Sequence, residues 1–360
     1  MKDGKVGIGV IGTGFGRVVQ IPGFLASPHA KVVAVCSGRK EKAEQVAREF
    51  DIPYAFTDYR DLVKVEEVDL VSVTAPPYLH HPHGMAALQA GKHVLSEKPF
   101  CLTPALAQEM VDAARHAGII NVVDHEQRFT PACARIRELI QEGYIGRVRH
   151  IFIITATNMR ADARKGRTWD WTCEAEKGGG SFGGTGSHWL DLMRYWLGEI
   201  VAVVGHYETH VKERIDPAGQ MRPVTADDYT GLLLRFAGGA TGALLLTAVA
   251  HHGRGTRFEI AGEEGSLVFD EEERLWGARG GEALTPMVEP DSLPMPPGMN
   301  YTGRWGRPFV RLAAHLVDVI RSGRKDVAPA ATFYDGMRVR VVMDAVRRSP
   351  REGWVNVAPS

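Results

Sequence analysis

Two kinds of hydrophobic pattern divide the chain near residue 125. Before it, short runs of consecutive apolar residues alternate with stretches whose apolar positions recur at helical spacing. The runs are KVGIGVIG (5–12), KVVAVCSG (31–38), VDLVSVTAPP (68–77), HVLSEKP (93–99) and IINVVDHE (119–126). Helices are predicted between them, from Gly16 to about Ala26, over Lys40–Phe50, over HHPHGMAALQAG (80–91) and over TPALAQEMVDAARHAG (103–118). Strands that are apolar at successive positions need cover on both faces, so this part predicts a doubly wound parallel α/β sheet.

The later part has longer β-rich runs: VRHIFIITATN, AVVGHYETHV, YTGLLLRFAGG, ATGALLLTAVAH, TRFEIAGEEGSLVFD and RLWGA. Glycine-containing turns join them, and helices are predicted near 130–143, 187–197, 307–322 and 334–348. The pattern gives an α/β N-terminal Rossmann domain (1–125) plus an α+β C-terminal domain with a large mostly antiparallel sheet (126–360). The proline-rich stretch EPDSLPMPPGMN (289–300) reads as a surface loop. GLLLRFAGG and GALLLTAVA are apolar at consecutive positions, so both faces of the second sheet are expected to need cover. Helices of the same chain would meet that need. A second subunit is the expected cover of one face, giving a homodimer or homotetramer.

Composition narrows the class. At 360 residues the chain is long for one core, which agrees with two domains. Lys+Arg and Asp+Glu each number 43, so the chain is formally neutral and has no basic stripe of the kind nucleic-acid binders use. Cys36, Cys101, Cys133 and Cys173 are scattered without a CxxC pair, which suits a reduced compartment. No signal-type segment precedes the first strand and no apolar run is long enough to span a bilayer, so a cytoplasmic, non-membrane protein is expected. The histidines show no metal-ligand spacing such as HExxH, and no metal is expected.

The turn Gly12-Thr13-Gly14-Phe15-Gly16 follows the first strand and opens a helix. Gly12 and Gly14 fill the first two places of GxGxxG; Arg17 stands at the third, and Gly16 falls one residue early. Such a turn lets backbone approach a pyrophosphate at a helix N-terminus. The second strand ends in Ser37-Gly38-Arg39-Lys40, with no carboxylate before Glu41 to hold a ribose 2′-hydroxyl. Ser37 and Arg39 suit a 2′-phosphate, so NADP is preferred over NAD.

The chain resembles the Gfo/Idh/MocA oxidoreductases (glucose–fructose oxidoreductase, inositol dehydrogenase and relatives) almost end to end. The resemblance is carried by GVIGTGFG, by TAPPYLHHPHGMAALQAGKHVLSEKP (74–99), by RFTPA (128–132), by GGGSFGGTGSHWLDLMRYWLG (178–198) and by YDGMRVRVVMDAVRRS (334–349). The stretch ending in Glu97-Lys98-Pro99 is the most specific, and the glycine block ending in Gly-Ser-His nearly so. The resemblance implies hydride transfer between NAD(P) and a sugar, polyol or related small carbinol or carbonyl compound. It carries cofactor contacts to Gly12, Gly14, Pro76, His80, Glu97 and Lys98, to which we add Thr13, Phe15, Gly16, Ser37, Arg39 and Arg128. It makes Lys98 and His188 the catalytic pair.

That pair suits the chemistry. Oxidising a secondary alcohol removes a hydride from carbon and a proton from oxygen, and the protein must take the proton. A lysine accepts it when burial and a nearby cationic nicotinamide make its ammonium easier to deprotonate. A histidine near neutral pH can polarise or protonate the substrate oxygen. Asp191, three residues on, either orients His188 or favours the helix N-terminus. Polyol dehydrogenases of the family typically place Asp or Asn four residues before the histidine, where this chain has Gly184. Either Lys98 and His188 suffice, or Asp124, His125 or Glu126 substitutes, or catalysis has been lost. The alternative function is therefore a non-catalytic nucleotide- or sugar-binding sensor. Softer candidates are His81, His251, His252 and a sugar-stacking wall of Arg164, Trp169 and Trp171.

Overall fold

The computed structural model describes residues 4–301 and 305–357. The chain forms two compact units, one of Met1–Thr130 with Ser292–Met337, the other of Pro131–Asp291 with Arg338–Ser360.

The first unit is built on six parallel strands: β1 Val6–Ile11, β2 Ala30–Cys36, β3 Tyr54–Phe56, β4 Leu70–Val73, β5 His93–Ser96 and β6 Asn121–Val123. Their order is β3-β2-β1-β4-β5-β6. Each main strand is buried along nearly its whole length, as the uninterrupted apolar runs required. Strand order reverses between β1 and β4, so their C-terminal ends open the crevice where such sheets bind ligands.

The unit is completed by residues that lie late in the sequence. The helix Gly306–Arg321 buries Phe309, Leu312, Ala313 and Leu316 in the same core as Val6, Ile8 and Phe24. Val123 N–H donates to Ala331 O at 2.8 Å, capping the free edge of β6. The contacts therefore differ from a single cut between residues 125 and 126: Ser292–Met337 packs with the first unit because its apolar helix face completes that core.

The second unit holds a nine-stranded sheet: β7 Val148–Ala156, β8 Ile200–Glu208, β11 Tyr229–Phe236, β12 Thr241–Thr247, β13 Gly255–Gly262, β14 Gly265–Phe269, β15 Leu275–Arg279, β16 Thr285–Pro286 and β17 Val355–Asn356. A separate hairpin pairs β9 Glu213–Ile215 with β10 Met221–Pro223. All pairs of the large sheet are antiparallel except β7 with β12.

The helices Pro131–Gln141 and Ser187–Leu197 share their core with one sheet face, where Ile151, Ile153, Leu232, Leu234 and Leu244 are buried. Successive strand residues point to opposite faces. Phe152, Leu233 and Leu245 accordingly emerge on the other face, exposed by 48%, 52% and 37%. Phe152 registers with Ala243, which registers with Leu233, so these side chains form one apolar band.

Candidate active site

The phosphate-cradle turn is built as its glycines require. Gly12 has φ +117°, and a Cβ there would fall 2.5 Å from Thr74 Oγ1 and 2.7 Å from the Thr74 carbonyl. Gly14 is exposed and has nothing within 4 Å of a Cβ position, leaving its backbone open to a ligand. The third glycine role, close packing of helix on strand, falls to Gly16, whose Cβ would meet Thr74 Oγ1 at 2.7 Å and Val10 at 3.0 Å. The helix begins with a π-type turn, Gly16–Gln20. Arg17 lies at the surface in a bidentate pair with Glu49 at 2.7 and 3.0 Å. The turn thus fits a dinucleotide pyrophosphate. Thr13 Oγ1 donates to Ser37 Oγ at 3.1 Å, tying the turn to the end of β2, where Arg39 is exposed. Phe15 packs edge-on to Tyr301, with centroids 5.7 Å apart.

Lys98 follows β5 and is half-buried; Trp305 places its ring centroid 5.6 Å from Nζ. Around it the ends of β5 and β6 bring together three buried carboxyl groups, Glu97, Asp124 and Glu126. Ser96 registers with Val123, and Asp124 N–H donates to Ser96 O at 2.8 Å, which puts residues 97 and 124 side by side. Gln20, fully buried, donates from Nε2 to Glu97 Oε1 at 2.9 Å and to Asp124 Oδ2 at 2.8 Å. Its carbonyl accepts from the Ser72 hydroxyl. Burial raises all three carboxyls, Asp124 well above its usual range and Glu126 to about 8; Lys98 pulls Glu126 the other way.

The remaining first-unit candidates brace this centre. His80 is buried, and its ring nitrogens face Ala75 O at 2.7 Å and Pro99 O at 3.1 Å. It thereby holds Pro76 and Lys98 in register, and burial lowers it to about 4. Both ring nitrogens of His80 are thus engaged by backbone carbonyls next to the expected cofactor contacts Pro76 and Lys98. Arg128 is buried, donates to Pro329 O at 3.3 Å and pairs with Asp335 at 3.4 Å. His81 pairs with Glu109 at 2.9 Å.

In the second unit the glycine block turns helical from Ser181 on. A π-type turn spans Phe182–Gly186 and runs into Ser187–Leu197. Asp227 organises its start: its Oδ2 accepts from Phe182 N–H at 2.7 Å, and its carbonyl accepts from Ser181 N–H at 2.9 Å. Burial raises Asp227 to about 6. Gly180, with φ +109°, is required because a Cβ would fall 2.2 Å from Asp227 Oδ1. His188 and Asp191 are both buried on the helix. Asp191 stands beyond the first turn, which removes the helix-terminus reading of its role. Trp169 donates its indole N–H to Pro223 O at 2.9 Å and lies under Arg222, so its ring is committed to the β9–β10 hairpin. Arg164, His251 and His252 are exposed. No group of three or more His, Cys, Asp or Glu among the described residues has a metal-holding arrangement.

Sequence reasoning missed Gln20, Ser72, Trp305 and Asp335. Gln20 and Ser72 left one signal, single polar residues inside the apolar runs VVQI and LVSV.

Residues 6–125 match the family described as "Oxidoreductase family, NAD-binding Rossmann fold", and residues 133–268 match the GFO/IDH/MocA C-terminal domain. The chain belongs to the GFO/IDH/MocA oxidoreductase family. An uncharacterized oxidoreductase of Synechocystis sp. is 31% identical, with 99% of this chain and 97% of that protein covered. Levoglucosan dehydrogenase of Pseudarthrobacter phenanthrenivorans is 30% identical, with 98% of each covered. A levoglucosan dehydrogenase solved in complex with NADH and L-sorbose superposes with a TM-score of 0.89 at 28% identity, covering 99% of this chain and 100% of that one. An oxidoreductase domain protein from Kribbella flavida gives the same TM-score at 32% identity, with the same coverage. The enzyme class is thus that of an NAD-binding oxidoreductase, on a parallel Rossmann sheet followed by a large mostly antiparallel one. No helix among the described residues is long and apolar enough to cross a membrane.

Proposed function

We propose that this enzyme transfers a hydride reversibly between a nicotinamide dinucleotide and a hydroxyl-bearing carbon of a sugar or related small carbinol, with Lys98 taking the hydroxyl proton. The observation that carries the reading is the placement of Lys98. It stands at the C-terminal end of a strand in the Rossmann sheet, half-buried beneath Trp305 and beside buried carboxyl groups. When bound, the nicotinamide supplies the hydride acceptor or donor. Gly12, Thr13, Gly14, Phe15 and Gly16 would hold the pyrophosphate, and Pro76, Glu97 and Arg128 shape the crevice beside it. His188, from the second unit, serves as the partner that polarises the substrate oxygen. A broad panel of sugars, anhydrosugars and polyols, followed by nicotinamide absorbance, tests the reading; levoglucosan and L-sorbose belong in it, since a relative is solved with each. Absence of any turnover across the panel, with cofactor bound, would favour the sensor that Gly184 suggests.

Three further features belong to this reading. NADP is preferred, supported by Ser37 and the exposed Arg39 and Lys40 at the end of β2. The first unit holds the cofactor and the second the substrate surroundings and the subunit contact, with the apolar band of Phe152, Leu233 and Leu245 covered by a second copy. The enzyme works in the cytoplasm, consistent with four buried free cysteines.

A further inference from the structure

Lys98 must take a proton and then carry a positive charge in a half-buried place. The groups facing that place come from several elements. Glu97 follows β5, Asp124 and Glu126 follow β6, and His80 opens a helix behind Pro99; all four feel the charge of Lys98. Gln20 and Ser72 are the neutral polar members.

The hydrogen bonds among them have one consistent polarity. Ser72 donates to the Gln20 carbonyl, so the Gln20 amide nitrogen faces the carboxyls. Its two N–H groups are spent, one on Glu97 and one on Asp124. Glu97 gains a second donor, the backbone N–H of Lys98 at 3.2 Å to Oε2. Asp124 gains none: Oδ1 is buried and without a hydrogen-bond partner among the described residues. Burial raises both, but Glu97, with two donors, is the better seat for the pair's negative charge and Asp124, with one, for its proton. Burial and the Glu97 charge both push Asp124 in that direction.

We propose that Glu97 and Asp124 form a carboxyl pair sharing a single proton, clamped by Gln20, and that this pair positions Lys98 by holding its ammonium when the substrate proton arrives. The proposal rests on the reading of Lys98 as proton acceptor. In the step it serves, the substrate O–H proton passes to the Lys98 amine, the C–H hydrogen leaves with its electron pair to the nicotinamide, and the C–O double bond forms. The pair neither gains nor loses electrons. It keeps one negative charge beside Lys98, enough to favour the ammonium without the hold that a second buried charge would add.

Two measurements on the full chain test this. The first is infrared spectroscopy of the protein at neutral pH, reading the protonated-carboxyl C=O band that shifts in D2O. Asp124→Asn should remove the intensity of one carboxyl, and Gln20→Met should move the band. A band identical in wild type and Asp124→Asn would overturn the pair. The second is the pH profile of kcat/KM for alcohol oxidation. The double variant Glu97→Gln/Asp124→Asn should shift the acid limb to lower pH by about one unit, a tenfold change in rate on that limb. Asp124→Asn alone keeps one charge and should leave that limb in place. A double variant slower at every pH by one factor, with the limb unmoved, would contradict the positioning role. Lys98→Ala with an unchanged chemical step would sink the underlying reading instead, and the infrared result would stand apart from it.

Discussion

Two glycines four residues apart do opposite work. Gly180 adopts a left-handed backbone and lies against Asp227, so Gly180→Ala should cost about 2 kcal/mol or more. Gly184 has nothing within 4 Å of a Cβ position and an ordinary helical backbone. Gly184→Asp should therefore change stability by no more than about 0.5 kcal/mol, while altering turnover because it places a carboxylate one helical turn before His188. Thermal denaturation of both variants checks this. A large loss of stability in Gly184→Asp would mean that the site has closed over that position. The absence of a carboxylate at Gly184 was legible in the sequence. The three carboxyls clustered at the ends of β5 and β6 were only half legible: Glu97, Asp124 and Glu126 could each be named as candidates, but the bridge of Glu97 to Asp124 is made by Gln20, 77 and 104 positions away from them.

Burial of ionisable groups also sets the pH dependence of stability. His80 and His83 are lowered to about 4 from an ordinary 6.5. Between those values the unfolded chain binds more protons, so stability falls as pH drops from 6.5 to 4. Glu126 is raised to about 8 from 4.5, and there the folded chain holds the extra proton. Its contribution is complete below 4.5 and is lost as pH rises to 8. Above pH 6.5 the carboxyls act alone. Denaturant midpoints should therefore fall from pH 6.5 to 8 in the wild type and fall less in Glu126→Gln; parallel slopes would contradict the assignment.

At the scale of elements, the strands and helices followed from periodicity, since consecutive apolar runs and helical repeats are local properties. The helix starts followed as well, within about one residue of those expected, but the turn geometry at two of them did not. The motif GxGxxG with Arg17 at its third place looked imperfect, yet the π-type turn delivers Gly16 to the packing role instead. The part of the glycine block just before Ser187, Phe182–Gly186, is itself helical, held by Asp227 from a distant segment. The end of β2 carries its own prediction. Ser37 accepts from Thr13 and faces exposed cations, so Ser37→Asp should shift cofactor preference toward NAD by repelling a 2′-phosphate. Titration by cofactor fluorescence reads it. An unmodified protein that binds NAD(H) as tightly as NADP(H) would remove the NADP preference.

Over the whole molecule, the sequence hid the return of Ser292–Met337 to the first unit, because chain order says nothing of which core a late helix completes. The open sheet face was anticipated from consecutive leucines. Alternate burial shows why: one residue of each pair serves the inner core and the next lies outside. Leu233→Lys should weaken subunit association in light scattering with little effect on folding, and a wild-type monomer at micromolar concentration would refute the contact. The central claim is that Lys98 accepts the substrate proton. Single-turnover kinetics of Lys98→Ala, with cofactor bound and the best alcohol from the panel, tests it most directly. The chemical step should slow by about 10²-fold or more, with cofactor affinity changed far less; an unchanged chemical step would contradict the account.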